Sequence, residues 1–368
     1  MSYLDKLLQG VEVEWKTLCA VCKVLRGNRL TKKELTENGK YPVFHGGLIP
    51  LGLYDKFNRK ANQTMIINTG SIGEVVWSNV DFWSSDGTFV VETSDGIYDR
   101  FLYHYLKIQE GYFKSQKREG GVPTIDRAVV ENLQIPIPPL SVQKEIVRIL
   151  DSFTELTAEL TAELTARKSQ YTYYREKLLS FDENQVEWKT LGEVVDVFTG
   201  GEAPLNCIKG DKPEGIFKYP VYGNGAEIYG YADSYRIDKD AVTISSIGAN
   251  TGTIYFRNAF FTPIIRLKVI IPKYNNLLPR YLYHYLNSIT ISSKSSSVPN
   301  MNASDVKRIK IPVPPIEEQE RIVSILDKFD TLTTSISEGL PKEIELRKKQ
   351  YEYYRDLLLT FPKNNIES

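Results

Sequence analysis

A chain of 368 residues, 42% of them hydrophobic, exceeds the ~250–300 residues at which single cores stop growing, so two domains are the default. Its 46 basic and 46 acidic side chains cancel, which excludes attraction to a polyanion by net charge and confines any nucleic-acid contact to local basic patches. No apolar run approaches the ~20 residues of a bilayer span, MSYLDKLLQG lacks the apolar segment of a signal peptide, and three cysteines form no even framework, so a soluble cytoplasmic protein is expected.

From its first residues the chain announces a repeat. VEWKTL stands at 13–18 and again at 186–191, and YPVFHGG at 41–47 answers YPVYGNG at 219–225. GSIGEVVWSN from Gly70 answers SSIGANTGTIYFRN from Ser245, and RFLYHYL from Arg100 answers RYLYHYL from Arg280. The order never changes, and a period of about 175 residues is far too long for a solenoid, so this is a duplicated domain with its helix. Even Leu4-Asp5-Lys6-Leu7-Leu8 mimics Arg175-Glu176-Lys177-Leu178-Leu179, the end of the helix before the second VEWKTL. A chain that repeats cyclically should close with approximate two-fold symmetry, its two long helices antiparallel and its termini close together.

Within each half the globular part is mixed and strand-rich. Short β-branched and aromatic runs bounded by Gly, Asn and Ser predict strands at 65–68, 75–78 and 88–92, then at 242–245, 252–257 and 264–271. A helix recurs at 99–108 and 279–289. The Ile-Pro-x-Pro-Pro segments from Ile135 and Ile311 then hold the backbone extended, and a long helix begins beyond each. Ser141 is placed to cap the first, while Glu317, Glu318 and Glu320 favour the positive end of the second.

Along the first long helix Phe153, Leu156, Leu160, Leu164, Tyr171, Tyr174 and Leu178 recur at steps of three and four, and Phe329, Leu332, Ile336, Tyr351, Tyr354 and Leu358 make the matching stripe of the second. These stripes predict a helix–helix seam of coiled-coil type. About forty residues make a rod of roughly 60 Å. Phe153 to Arg167 is fourteen steps and Phe329 to Arg347 eighteen, a difference of one helical turn, and TAEL occurs twice in tandem at 157–164. Gly339-Leu340-Pro341 should kink or split the second helix. The boundaries are therefore a first domain at 1–140, a helix at 141–181, a second domain at 186–315 and a helix at 316–361.

Catalytic readings fare badly. Cys19-x-x-Cys22 has Gly192 and Val195 at the same places in the second half and no further ligand cluster, so it reads as buried apolar packing. His104 and His284 hold equivalent places on the short helix and read as packing residues. Glu14-x-Lys16 and Glu187-x-Lys189 lack the preceding acidic strand of a nuclease metal site. Neither a GxxxxGK[ST] loop nor a Gly-rich loop for an adenosyl cofactor is present. What remains are polar loops: Arg26, Asn28, Arg29, Lys32 and Lys33, then His45, Arg59 and Lys60, then Lys117 and Arg118 in the first half. The second half offers Lys212, Tyr222, Asn224, Asn250, Thr251 and Lys294. Such side chains suit phosphate contacts and base-edge hydrogen bonds.

IPIPPL-x-x-Q-x-x-I-x-x-x-L-D and IPVPPI-x-x-Q-x-x-I-x-x-x-L-D, each followed by R-K-x-Q-Y-x-Y-Y-R-x-x-L-L, resemble the specificity subunit of bacterial type I restriction-modification systems, and the likeness spans the whole chain. The resemblance implies an α+β fold of two tandem-duplicated, β-rich target recognition domains separated by two long antiparallel helices. Each domain would read one half of an asymmetric bipartite site in double-stranded DNA. The helices would set the spacing and dock methyltransferase subunits that use S-adenosylmethionine, with a translocating nuclease subunit joining them; this chain itself would bind no cofactor and no metal. Two rivals stand beside it. A self-sufficient methyltransferase or nuclease would need an adenosyl pocket or carboxylate cluster, and a duplicated scaffold without nucleic acid draws support from the neutral charge.

Overall fold

The computed structural model describes residues 3–118, 123–182, 184, 186–289, 301–335 and 337–362. The backbone clusters into two compact units, Met1–Leu160 with Ile344–Ser368, and Thr161–Glu343. Each unit thus contains one globular half and a segment of each long helix.

In the first unit the elements are α1 (Tyr3–Leu8), β1 (Glu14–Thr17), α2 (Leu18–Val21), β2 (Cys22–Arg26), β3 (Tyr41–Phe44), β4 (Gly52–Tyr54), β5 (Gln63–Ile67), β6 (Val75–Ser78), β7 (Trp83–Ser84), β8 (Thr88–Thr93), α3 (Asp99–Ile108), α4 (Glu110–Ser115), α5 (Arg127–Glu131), β9 (Gln134–Ile137) and the start of α6 (Leu140–Leu179). An antiparallel sheet runs β2-β8-β5-β6, a smaller one β4-β3-β7, and β1 pairs with β9 as a ribbon. β5 and β8 are buried along most of their length because they are central strands, and α3 lays Leu102, Tyr105 and Leu106 over them. Pro136 is tolerated in β9 because a two-stranded ribbon leaves one edge without ladder bonds.

The second unit repeats this with the end of α6, β10 (Glu187–Thr190), α7 (Leu191–Val194), β11 (Val195–Thr199), β12 (Cys207–Ile208), β13 (Tyr219–Tyr222), β14 (Ile228–Ala232), β15 (Ala241–Ile244), β16 (Ile254–Arg257), β17 (Thr262–Pro263), β18 (Lys268–Pro272), α8 (Pro279–Ser288), α9 (Ala303–Lys307), β19 (Lys310–Val313) and α10 (Ile316–Thr334). Its sheets run β11-β18-β15-β16 and β12-β14-β13-β17. The ribbons match residue for residue: Trp15 lies opposite Pro136, and Trp188 opposite Pro312.

The last helix, α11 (Leu340–Leu359), follows a break after Thr334 in which Gly339 takes φ +84, and a Cβ there would strike the carbonyl oxygen of Thr331. Within the first unit, Phe153 of α6 stacks on Tyr354 of α11, and Val142, Ile146 and Leu150 share a core with Leu358, Leu359 and Phe361. α1 adds Leu4 and Leu8 to that core, and the Trp15 indole donates to the carbonyl of Pro362 at 3.1 Å. Within the second unit Tyr171 and Tyr174 stack on Phe329. Leu156, Leu160, Leu164 and Leu332 are half-buried, Tyr351 packs against the first unit's helical core and Leu178 against the second unit's, and Ile336 lies outside the described residues.

Three expectations are corrected. Ser141 does not cap α6; the helix starts one residue earlier, and the Pro139 carbonyl already accepts from Val142 and Gln143. The strand expected at 264–271 begins only at Lys268, because Ile265 and Arg266 adopt φ of 53 and 60 and turn the chain. Cys19 is exposed rather than packed; only Cys22 of that pair is buried, and burial pushes its thiol up to about 12.

Candidate nucleic-acid interface

The first unit gathers its cations at the end of β2. A Cβ at Gly27 would strike the backbone oxygens of Ser84 and Ser85, so only glycine lets the two segments approach. That approach, fixed by Asn28 N–H donating to the Ser84 carbonyl at 2.9 Å, throws Arg29 outward. Thr31 and Glu34 form a capping box that holds Lys32 and Lys33 on an exposed turn. Arg26, Arg29, Lys32 and His45 then line one cleft of about 480 Å³, with Leu30, Thr31, Leu51, Thr69, Asp86 and Gly87.

Other first-half candidates are spoken for. Arg59 donates to the carbonyls of Asn58 and Arg26, Lys60 pairs with Asp81 at 3.4 Å and lies over the Phe57 ring, and Arg118 pairs with Asp126. Lys117 is exposed, away from the cleft lining. In the second unit Asn224 is a tie: its side-chain oxygen accepts from Ser246 N–H at 2.7 Å, and its backbone carbonyl from the Ser245 hydroxyl and the Asn250 amide. Thr251 donates to the Gly248 carbonyl, and Tyr222 lies 3.8 Å beneath the Arg257 guanidinium. Of these only Asn224 and Asn250 are joined to each other; Lys212 is exposed on the loop between β12 and β13, and Lys294 lies outside the described residues. Composition missed a second cleft of about 330 Å³, in which Arg236, Lys239 and Lys273 face Asp196 and Asp238.

Sequence reasoning also missed what fixes each domain on its long helix. Asp151 of α6 accepts from Arg100 at 2.9–3.1 Å and from His104 Nε2 at 2.8 Å; Asp327 of α10 accepts from Arg280 Nε at 2.7 Å and His284 Nε2 at 2.6 Å, with Asp330 accepting from Arg280 Nη2 at 3.2 Å. Buried Gln143 and Gln319 complete the clamp: each accepts one domain N–H and donates to two carbonyls, at 2.8–2.9 Å. The signal was there, because Arg and His recur in R-x-L-Y-H-Y-L while Gln and Asp recur in P-P-x-x-x-Q and I-L-D.

Burial pushes the His104 imidazole below its ordinary value of 6.5, against the pull of Asp151. Burial likewise pushes the Asp151 carboxyl up, but hydrogen bonds from His104 and Arg100 outweigh it and hold it low. The resting clamp is therefore carboxylate with neutral imidazole. A depressed histidine binds fewer protons folded than unfolded, so its contribution is complete above pH 6.5 and erodes as pH falls below it; the depressed aspartate adds to the loss in stronger acid. Chemical denaturation should show the midpoint falling between pH 7 and pH 5, and H104Q should flatten that fall. Asp151→Ala, which strands the partly buried Arg100, should cost about 2 kcal/mol. An unshifted midpoint would remove the clamp from the account.

Among the described residues no group of three His, Cys, Asp or Glu side chains could hold a metal, and no helix is long and apolar enough to cross a membrane. A family model described as type I restriction modification DNA specificity domain matches residues 10–167 and 184–346. The chain is 38% identical to the EcoR124I/EcoR124II type I restriction enzyme specificity subunit of Escherichia coli, over 99% of this chain and 98% of that one. It is 35% identical to a putative type I restriction enzyme specificity subunit of Haemophilus influenzae, over 98% of each. The crystal structure of a type I restriction-modification S subunit from M. genitalium shares the fold, with TM-score 0.73 at 22% identity over 99% of this chain and all of that one.

Proposed function

The chain belongs to the family of type I restriction-modification DNA specificity subunits, and on that premise we propose that it chooses the DNA sequence on which a multisubunit methyltransferase and nuclease acts. Residues 1–140 and 186–315 are the two target recognition domains, each reading one half of an asymmetric bipartite site. The helices at 141–181 and 316–361 fix the distance between the half-sites and dock methyltransferase subunits. Those subunits supply S-adenosylmethionine chemistry, a translocating nuclease subunit completes the restriction complex, and the assembly works in the cytoplasm. This chain contributes register and sequence choice, and no catalytic step.

One observation carries the reading. The same frame is built twice, with ribbons in the same register and the same Arg-His-Asp and Gln clamps, yet the loops it displays differ. The first unit presents His45 beside Ser85 and Asp86 in a cleft with Arg26, Arg29 and Lys32, where the second has Gly223 and an Asn224 tied to Ser246 and Asn250. A constant frame with unlike loops is what independent reading of two unlike half-sites requires. Exchanging residues 1–140 for the first domain of another family member should replace one half of the methylated motif and leave the other intact. Mapping methylated positions in cells that carry the partner subunits tests this; a change in both halves, or in neither, would refute independent reading.

A further inference from the structure

His45 is set differently from the arginines and lysines around it. Its Nδ1 lies 3.2 Å from the Ser85 hydroxyl and 3.4 Å from an Asp86 carboxylate oxygen. Ser85 is itself committed: its hydroxyl donates to Asp86 at 3.1 Å and accepts from Leu30 N–H at 3.2 Å. A bare Nδ1 would face a carboxylate lone pair, so of the two tautomers the geometry selects the one with its proton on Nδ1 and its acceptor at Nε2. Among the described residues Nε2 has no hydrogen-bond partner and is not buried, and the side chain is 40% exposed in a cleft that also presents Arg26, Arg29 and Lys32.

Phosphate is the wrong ligand for such a group, because an acceptor backed by Asp86 repels an anion that the neighbouring cations would take instead. A hydrogen-bond donor is the right one. In the DNA major groove the donors are the exocyclic amines of adenine and cytosine, whereas guanine and thymine present only acceptors there. The loop that follows adds Leu48 and Ile49, 51% and 79% exposed, apolar side chains of the kind that meet thymine methyl groups.

Resting on the proposed function, we infer that His45 is a specificity-determining residue of the first half-site, its Nε2 accepting from the exocyclic amine of one adenine or cytosine. The second unit has no equivalent. Gly223 stands at the place of His45, and the strand pairing that sets Ser84 beside Phe44 sets Pro263 beside Tyr222, so Ile264 and Ile265 replace Ser85 and Asp86. The effect of losing His45 must therefore fall on one half of the motif.

The test is a map of methylated sites made by the full chain with its methyltransferase subunits. His45→Ala should lose about tenfold in discrimination at one adenine or cytosine position of one half-site, and which base loses selectivity identifies the ligand. His45→Gln, which restores an acceptor oxygen, should recover part of it. Asp86→Asn unties the tautomer and should broaden the same position toward guanine. A motif unchanged in both His45→Ala and Asp86→Asn would overturn the inference alone, and should His45→Ala methylate nothing, Asp86→Asn decides it. A wild-type map without a bipartite motif would sink the parent reading as well.

Discussion

Deleting one TAEL, residues 157–160, should leave both half-sites as they were and shorten the unread spacer between them by one or two base pairs, abolishing methylation at the original sites. Four helical residues carry about 6 Å of rise and a net turn of about 40°. On B-DNA those correspond to ~1.8 base pairs of length at 3.4 Å each and about one base pair of twist at 10–10.5 per turn. Rise and rotation thus bracket the contraction between one and two base pairs. The deletion is also locally silent. TAEL at 157–160 is followed by TAEL at 161–164, so removing one copy brings an identical sequence into its place. The hydroxyls of Thr157 and Thr165 donate to the carbonyls of Phe153 and Thr161 one turn back in the same helix. A methylome with an unchanged spacer would show that α6 is not the ruler.

The second large effect is expected at the cationic cleft. Replacing Arg26, Arg29 and Lys32 together by alanine should weaken DNA binding by the complex with its methyltransferase subunits on the order of a hundredfold at physiological salt. It should also flatten the logarithmic salt dependence by about 2.7, since each neutralised phosphate contributes about 0.9. Arg59, Lys60 and Arg118 serve as the control, because each already has a carbonyl or carboxylate partner. Replacing those three should change the slope little. Fluorescence anisotropy across a salt series separates the two sets; equal slopes for wild type and the first triple variant would remove this cleft from the interface.

Much of the architecture was legible because it was written twice. The helix expected at 99–108 is α3 to the residue, and a cyclic repeat anticipated that α1 would lie against the end of α11. Strand ends were less legible where the backbone leaves ordinary dihedrals: nothing in Ile-Ile-Arg-Leu distinguishes a strand from the two left-handed residues found there. The clamp escaped because Arg100 and Asp151 are neighbours only after folding, and periodicity says which face is apolar without saying which polar groups meet across it. For the same reason composition placed Arg59 beside Arg29 as an equal. Only the fold shows the one donating into a neighbouring loop and the other lining open space.

The indole of Trp15 ties the start of β1 to the segment just after α11 by donating to the carbonyl of Pro362. The corresponding seam of the other unit, between the end of α6 and β10, is crossed by a few residues of continuous chain. Each ribbon is therefore preceded in space by the end of a long helix, α11 in the first unit and α6 in the second. The ribbons and the Arg-His-Asp clamps draw only on strand and helix residues, so the loops of either frame are free to change without loosening what holds that frame together.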